Sequence, residues 1–393
     1  MLCDFFNEDL EYQENLLVKY YAKHGHQVVV VTSTFESVFD YYADRHDSSW
    51  PARTYEASGT KIIKLRYRYN ILNRLRAFSR IDTILSDEAP DLIFVHDIML
   101  NFPECVRYVR SHPDSRMIMD YHADYSNSGK NALSLKLLHG VFRKWFLDRA
   151  RPYLSKIFPI VPAGATFLHE IYGIPHADME LLPLGADTDL ANEIRKTSTR
   201  HDLRKHFGIT DQDIVIFTGG KLTPAKRTEL LFQAMSSLKE FSVHIVVVGD
   251  ASNEHTSYKE ELQHMADGCT NIHLVGWLGR QQIYSHLAMS DLAVFPASQS
   301  ILWQQAIAMG LPLIVGNTGH QDISYLNFQE NIIILPAERI SASGIAQAIK
   351  SVLSSPARLR KMSEGASCVA DEQLNWNHLI ERTLRFNVAT AGH

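Results

Sequence analysis

The stretch Ala297-Ser-Gln-Ser-Ile-Leu-Trp-Gln-Gln-Ala-Ile-Ala-Met-Gly-Leu-Pro-Leu-Ile-Val-Gly316 decides the fold. Apolar residues lead into it through Leu292-Ala-Val-Phe295 and out of it through Leu313-Ile-Val315, so one strand ends and another begins across it. Between them a short helix starts after Ser298-Gln299-Ser300 and stops at Gly310, and Pro312 marks the entry to the next strand. A strand, loop, helix and strand in this order belong to a parallel sheet. The loop and the helix start offer free backbone N–H groups and the positive end of a helix dipole, a surface suited to an anion or a sugar.

The same alternation extends in both directions. Towards the C-terminal half, strands are predicted over 214–218, 243–249, 271–275, 292–295, 313–315 and 332–335, with helices over 228–238 and 259–265. In the N-terminal half a helix over 13–23 stops at Gly25. Strands follow over 28–32, 61–65, 92–96, 116–120 and 158–161, with a long helix over 134–155. The polar segment 190–213 reads as a linker plus a first helix. This predicts two doubly wound α/β units facing across a cleft, with ligands outside the carboxyl ends of the strands. The expected domains are 1–190, 191–372 and a terminal helix, 373–393, that returns to the first.

Composition narrows the function. At 393 residues the chain is long enough for two cores. A net charge of -5 argues against a dedicated nucleic-acid binder. The four cysteines are widely separated, without a metal-ligand or redox spacing, which suggests a reducing, cytoplasmic setting. No apolar run is long enough to span a bilayer. Two basic stretches, 61–80 and 130–156, stand out against the acidic total. The second is amphipathic and suits either a solvated packed helix or peripheral contact with an anionic inner membrane face.

Three segments carry chemistry. Thr218-Gly-Gly-Lys-Leu-Thr-Pro-Ala-Lys-Arg227 joins a strand to a helix. Gly219 and Gly220 allow close approach of a ligand, and Lys221 and Lys226 can neutralise one diphosphate; a solvated basic turn is the plain alternative. Neither a Walker loop nor a dinucleotide fingerprint is present. Val275-Gly-Trp-Leu-Gly279 places Trp277 and Leu278 at a strand end, where a nucleobase can lie, unless Trp277 is a core residue at a turn. His96-Asp97 and Asp120-Tyr-His122-Ala-Asp124 put histidines beside carboxylates at two strand ends, which favours His122 as a site residue. No metal site is expected, since neither histidine has a second one at metal-ligand spacing.

In this order the segments resemble the GT-B glycosyltransferases of the retaining family GT4. The similarity begins at Glu11-Tyr-Gln-Glu-Asn-Leu-Leu17 and continues through Asp91-Leu-Ile-Phe-Val-His96 and Leu182-Pro-Leu-Gly-Ala-Asp187. It ends at Gln305-Ala-Ile-Ala-Met-Gly-Leu-Pro312 and the helix after Trp376. The resemblance implies a nucleotide-diphosphate sugar, UDP- or GDP-linked, as donor and a glycan or lipid-linked acceptor, in cell-surface polysaccharide or glycoconjugate synthesis. It implies that Lys221 and Lys226 hold the diphosphate, that Trp277 and Leu278 flank the base, and that His122 touches the sugar. No metal or other cofactor is implied. The family's two glutamates, spaced E-x7-E, fall on Ala297 and Gln305. Gln305 retains a hydrogen-bonding amide, and Ser298, Gln299 and Ser300 are the candidates to replace what Ala297 lacks. The glycine-rich loop after the family's first strand is replaced by Asn7-Glu-Asp-Leu-Glu11. An alternative follows from these departures: a non-catalytic GT-B protein that binds a nucleotide sugar or a partner enzyme. A nucleotide-sugar epimerase is a more distant third.

Overall fold

Among the described residues fourteen strands carry the architecture, and the apolar runs of the sequence account for most of them. The structure is a computed structural model, and it describes residues 1–8, 12–35, 41, 51–71, 73–125, 127–128, 134–297, 299–319 and 322–385. The chain divides into two units, one comprising Met1–Pro183 and the segment from Asn377 on, the other Leu184–Trp376.

In the first unit the strands are β1 (Val29–Ser33), β2 (Arg53–Ala57), β3 (Thr60–Leu65), β4 (Tyr67–Ile71), β5 (Leu75–Phe78), β6 (Leu92–His96), β7 (Arg116–Tyr121) and β8 (Leu154–Pro159). β1 pairs in parallel with β3, and β6, β7 and β8 run parallel side by side. Leu2 bridges to both Val31 and Val95 and so joins the two sets through the chain's first residues. Buried Val31, Ile63, Val95 and Met119 share one core, while Val30 and Ile62 point into a second on the opposite face. The helix Gln13–Lys23 buries Leu16, Leu17, Tyr20 and Tyr21, the helical spacing of an apolar stripe. The segment from Asn377 docks in this unit: Asn377 accepts from Lys23 at 3.0 Å, and Arg382 donates to Glu180 at 2.7 Å.

The long helix expected over 134–155 is present over nearly that length. Helical backbone covers Ser134–Arg143, Lys144–Ala150 and a final 3-10 turn, Arg151–Tyr153, and the chain then enters β8. The basic stretch 61–80 begins with the expected strand, β3, and continues as an antiparallel hairpin of β4 and β5. Much of its charge serves the fold. Lys64 is 1% exposed, Lys61 pairs with Glu88 at 2.5 Å, and Arg76 pairs with Asp4.

The second unit contains β9 (Ile214–Gly219), β10 (Val243–Val248), β11 (Ile272–Gly276), β12 (Leu292–Phe295), β13 (Leu313–Asn317) and β14 (Ile332–Pro336). They form one parallel sheet in the order β11-β10-β9-β12-β13-β14. Val215 and Phe217 pack into one core and Ile216 into the other, so both faces are covered by helices. The chain enters this unit at Leu184 because Ala186 N donates to Leu374 O at 3.0 Å and Asp187 N to Tyr284 Oη at 2.9 Å. Asp187 then caps the helix Thr188–Arg195 by accepting from Leu190 N at 3.1 Å. The polar segment after it is a second helix, Thr199–His206.

Candidate functional site

In the second unit the strand order reverses between β9 and β12, which makes their carboxyl ends the switch point of the sheet. Of the residues singled out by sequence, Gly219, Gly220, Lys226, Gln299 and Ser300 lie together there. β9 ends at Gly219, and Gly220 follows with φ +113°. A Cβ on Gly219 would lie 2.1 Å from Val248 O, and one on Gly249 would lie 2.0 Å from Gly220 O. The ends of β9 and β10 therefore pack backbone against backbone, which leaves the space above Gly220 to side chains and ligand.

Two side chains occupy its border. Lys226 Nζ lies 3.3 Å, and Ser300 Oγ 3.4 Å, from where a Cβ of Gly220 would stand. Lys226 also donates to Gln299 O at 2.9 Å and so ties the β9 turn to the loop that leaves β12. Burial pushes the Lys226 ammonium down to about 8, and no carboxylate among the described residues pairs with it. Lys221 is exposed on the same turn. The helix Leu302–Ala308 follows the loop and is buried along its whole length, with Gln305 6% exposed. Ser300 Oγ accepts from Leu302 N at 3.4 Å. Ala297 is packed at 1% exposure, and Ser298 lies outside the described residues.

Trp277 is 72% exposed, so it is not a core tryptophan. It follows β11, whose Gly276 O accepts from Gly249 N at 2.7 Å. Strand ends thus run in a row from Trp277 past Gly249 to Gly220. Neighbouring strands are spaced by about 4.8 Å, which puts the ends of β11 and β9 about 10 Å apart along the sheet edge. A nucleoside linked to a diphosphate spans a comparable length. Leu278 is partly buried and packs against the core beneath.

The first unit holds a separate cluster at the ends of β6 and β7. Parallel register places His96 opposite Asp120. The Asp120 carboxylate is fully buried, and its Oδ2 lies 2.8 Å from His96 Nδ1 and 3.0 Å from His122 Nε2. His122 is held by its backbone as well: its N–H donates to Asp97 Oδ1 at 3.0 Å, and its carbonyl accepts from Asn127 Nδ2 at 3.0 Å. Burial alone would lower the His122 pKa, but the Asp120 carboxylate, its hydrogen bond and the more distant Asp97 and Glu14 raise it to about 10. Asp120 is correspondingly held well below the usual carboxylate range. Among the described residues, His96, Asp120 and His122 bring one ligand atom each to within 4.8 Å of one another, close enough to hold a metal ion. His122 Nε2 and Asp120 Oδ2 form a hydrogen bond, whereas His96 Nδ1 lies 2.8 Å from the same oxygen but out of line for a hydrogen bond. Sequence reasoning singled out His122 but not the role of Asp120, which depends on the register between β6 and β7.

Residues 15–190 match the family described as Glycosyltransferase Family 4, and residues 212–355 match that described as Glycosyl transferases group 1. The chain belongs to this glycosyltransferase family. A lipopolysaccharide 1,2-N-acetylglucosaminetransferase of Salmonella typhimurium is 23% identical over 236 residues, 57% of this chain. The alignment spans 60% of that relative's length. HepE of Anabaena, solved in complex with UDP, superposes with a TM-score of 0.65 at 16% identity, covering 98% of this chain and 99% of its own. A glycosyltransferase of Rickettsia africae gives a TM-score of 0.68 at 14% identity, covering 98% of this chain and 96% of its own. These likenesses establish the fold, which is GT-B with two Rossmann-like domains. Among the described residues no helix is long and apolar enough to cross a membrane.

Proposed function

We propose that this glycosyltransferase moves a hexose-type sugar, with retention, from a nucleoside diphosphate to a glycan or lipid-linked acceptor in cell-surface glycoconjugate synthesis. The observation that carries the reading is Lys226: a half-buried ammonium beside Gly220, at a sheet switch point, without a described carboxylate partner. A diphosphate is the partner such a cation lacks. The exposed Trp277 supplies a face for the base, and UDP is the favoured base carrier because HepE is solved with UDP and with UDP-glucose. We assign His122 a contact with the donor sugar. Lys221 and Lys226 supply the charge compensation that a metal ion supplies elsewhere, so EDTA is expected to leave turnover unchanged. A thermal-shift titration with UDP, GDP, ADP and dTDP, followed by donor hydrolysis with and without acceptor extract, tests the reading. Stabilisation by UDP or GDP with turnover supports it, and binding without turnover overturns it. That second outcome is the signature of the non-catalytic alternative, which the packed methyl of Ala297 favours.

The acceptor is proposed to be presented at a membrane surface. On the helical segment 134–150, Leu137, Val141, Phe142 and Trp145 are 46–54% exposed on one face. Lys136 and Arg149 flank them, with the Arg149 guanidinium 3.6 Å from the Trp145 ring. Exposed apolar residues rimmed by cations suit an anionic headgroup layer, a cytoplasmic and peripheral location. Vesicles containing phosphatidylglycerol should float with the protein, and Val141→Glu/Trp145→Glu should reduce that binding about tenfold or more. Absence of flotation for the unaltered chain removes the membrane from the reading.

A further inference from the structure

The amino end of the second unit's sheet, opposite to Lys226 and Gly220, carries a cavity of about 510 Å³. Ser290 and Asp291 line it just before β12, and Gly310 and Leu311 just before β13. The candidate donor residues all follow carboxyl ends of strands, so the cavity is not part of that site. Ile194, Leu287, Met309, Leu311 and Leu359 contribute to its apolar surface, and Arg195, Arg200 and Arg360 reach it.

The three arginines are not equivalent. Arg200 donates to Ala288 O at 3.1 Å and Ser290 O at 3.0 Å and pairs with Asp291 at 2.6 Å, so the fold uses it. Arg195 donates to Asn192 Oδ1 at 2.6 Å, and no described carboxylate lies within ion-pair distance of it. Burial holds its pKa below the ordinary value, and no acidic group among the described residues pairs with it. Arg360 is exposed, one turn from Glu364 on the helix Pro356–Val369, and forms no ion pair among the described residues. Two guanidinium groups without ion-pair partners, facing one lining glutamate, leave a net positive wall. Guanidinium forks match phosphate oxygens, and the volume exceeds that of a bare phosphate and suits a small polar body attached to it.

We propose that this cavity is a second ligand site, for a phosphorylated sugar, and that its occupant modulates donor binding. The helix Leu302–Ala308 supplies the connection. Its first turn follows Ser300 and Gln299, and Gln299 O accepts from Lys226 at 2.9 Å. Its far end runs through Met309 to Gly310 in the cavity wall, where Gly310 O accepts from Ser363 Oγ at 2.6 Å. Seven helical residues span about 10 Å, so a ligand that displaces Gly310 moves the loop that holds Lys226. The modulatory half rests on the donor reading above, whereas the binding half does not.

Isothermal titration of the full chain with glucose 6-phosphate, and separately with inorganic phosphate and glucose, tests both halves. Saturable binding of glucose 6-phosphate is expected, tighter than of either fragment, and about tenfold weaker in Arg195→Ala/Arg360→Ala. Both side chains lie at the surface, and Arg360→Glu serves as a second variant with the same expected loss. Saturating glucose 6-phosphate should change UDP affinity about threefold or more, and UDP should change glucose 6-phosphate affinity by the same factor. Absence of saturation at about 10 mM, or equal binding by the variants, overturns the site. Binding without any change in UDP affinity overturns the coupling. Failure of UDP to bind while glucose 6-phosphate binds through the two arginines counts against the donor reading and leaves the site standing.

Discussion

Lys226→Ala is expected to lower kcat/KM for the sugar-nucleotide donor by about 10²–10³-fold, the scale of losing one preorganised charge beside a developing anion. The affinity for free UDP should fall by about 2 kcal/mol, roughly thirtyfold. The pH dependence gives an independent signature. In the ligand-free protein the ammonium titrates near 8, and only its charged form pairs with a diphosphate. UDP affinity should therefore be constant below about pH 8 and fall about tenfold per unit above it, with proton uptake on binding. Stability moves in the opposite sense. A lysine whose folded pKa is depressed disfavours the fold while it is charged, a cost present below its folded value and relieved as the pH rises past it. Lys226→Met removes that cost, so its Tm should not fall even as UDP binding is lost. A large drop in Tm, or an unchanged UDP affinity, overturns the assignment.

This lysine was legible in the sequence because two glycines and two lysines at a strand–helix junction restrict what the junction can do. The strands β6, β9, β10, β12 and β13 were legible for a related reason: residues buried on both faces leave continuous apolar runs. The hairpin of β4 and β5 was not legible. Four of the five residues of β4 are exposed, and no alternation marks one face. Its arginines resemble a basic surface patch, while Arg76 is committed to Asp4, far away in sequence. Gly249 gave a similarly weak signal. Its requirement for glycine comes from Gly220 O on the neighbouring strand end, a contact that no local pattern encodes. In the loop after β12 the absence of the family's glutamate was evident at Ala297, but the near-complete burial of that alanine was not.

Asp120 is the clearest case of a residue whose role lies in register, and Asp120→Asn carries the second large effect. The carboxylate is fully buried and serves both His96 and His122 through one oxygen. Asparagine preserves the shape but removes the charge, leaving burial, Asp97 and Glu14 to set the state of His122. Its pKa should fall from about 10 to near or below the ordinary imidazole value, so the ring changes from charged to neutral at pH 7.5. Imidazole NMR reports this directly. A raised histidine pKa contributes stability that is complete below about 6.5 and is lost as the pH rises through about 10. The depressed carboxylate contributes stability above its ordinary value near 4 that is lost as the pH falls below it. Between pH 6.5 and 10 the histidine dominates, so the stability of the unaltered protein should decline with rising pH by a few kcal/mol. In Asp120→Asn that slope should flatten. If His122 bears on the donor sugar as a cation, kcat/KM at pH 7.5 should fall about tenfold or more in the variant and recover in part at lower pH, where the ring charges again. A purely structural role for Asp120 predicts a loss without that pH-dependent recovery. A His122 pKa that stays near 10 in Asp120→Asn would show that the charge on the ring has another source.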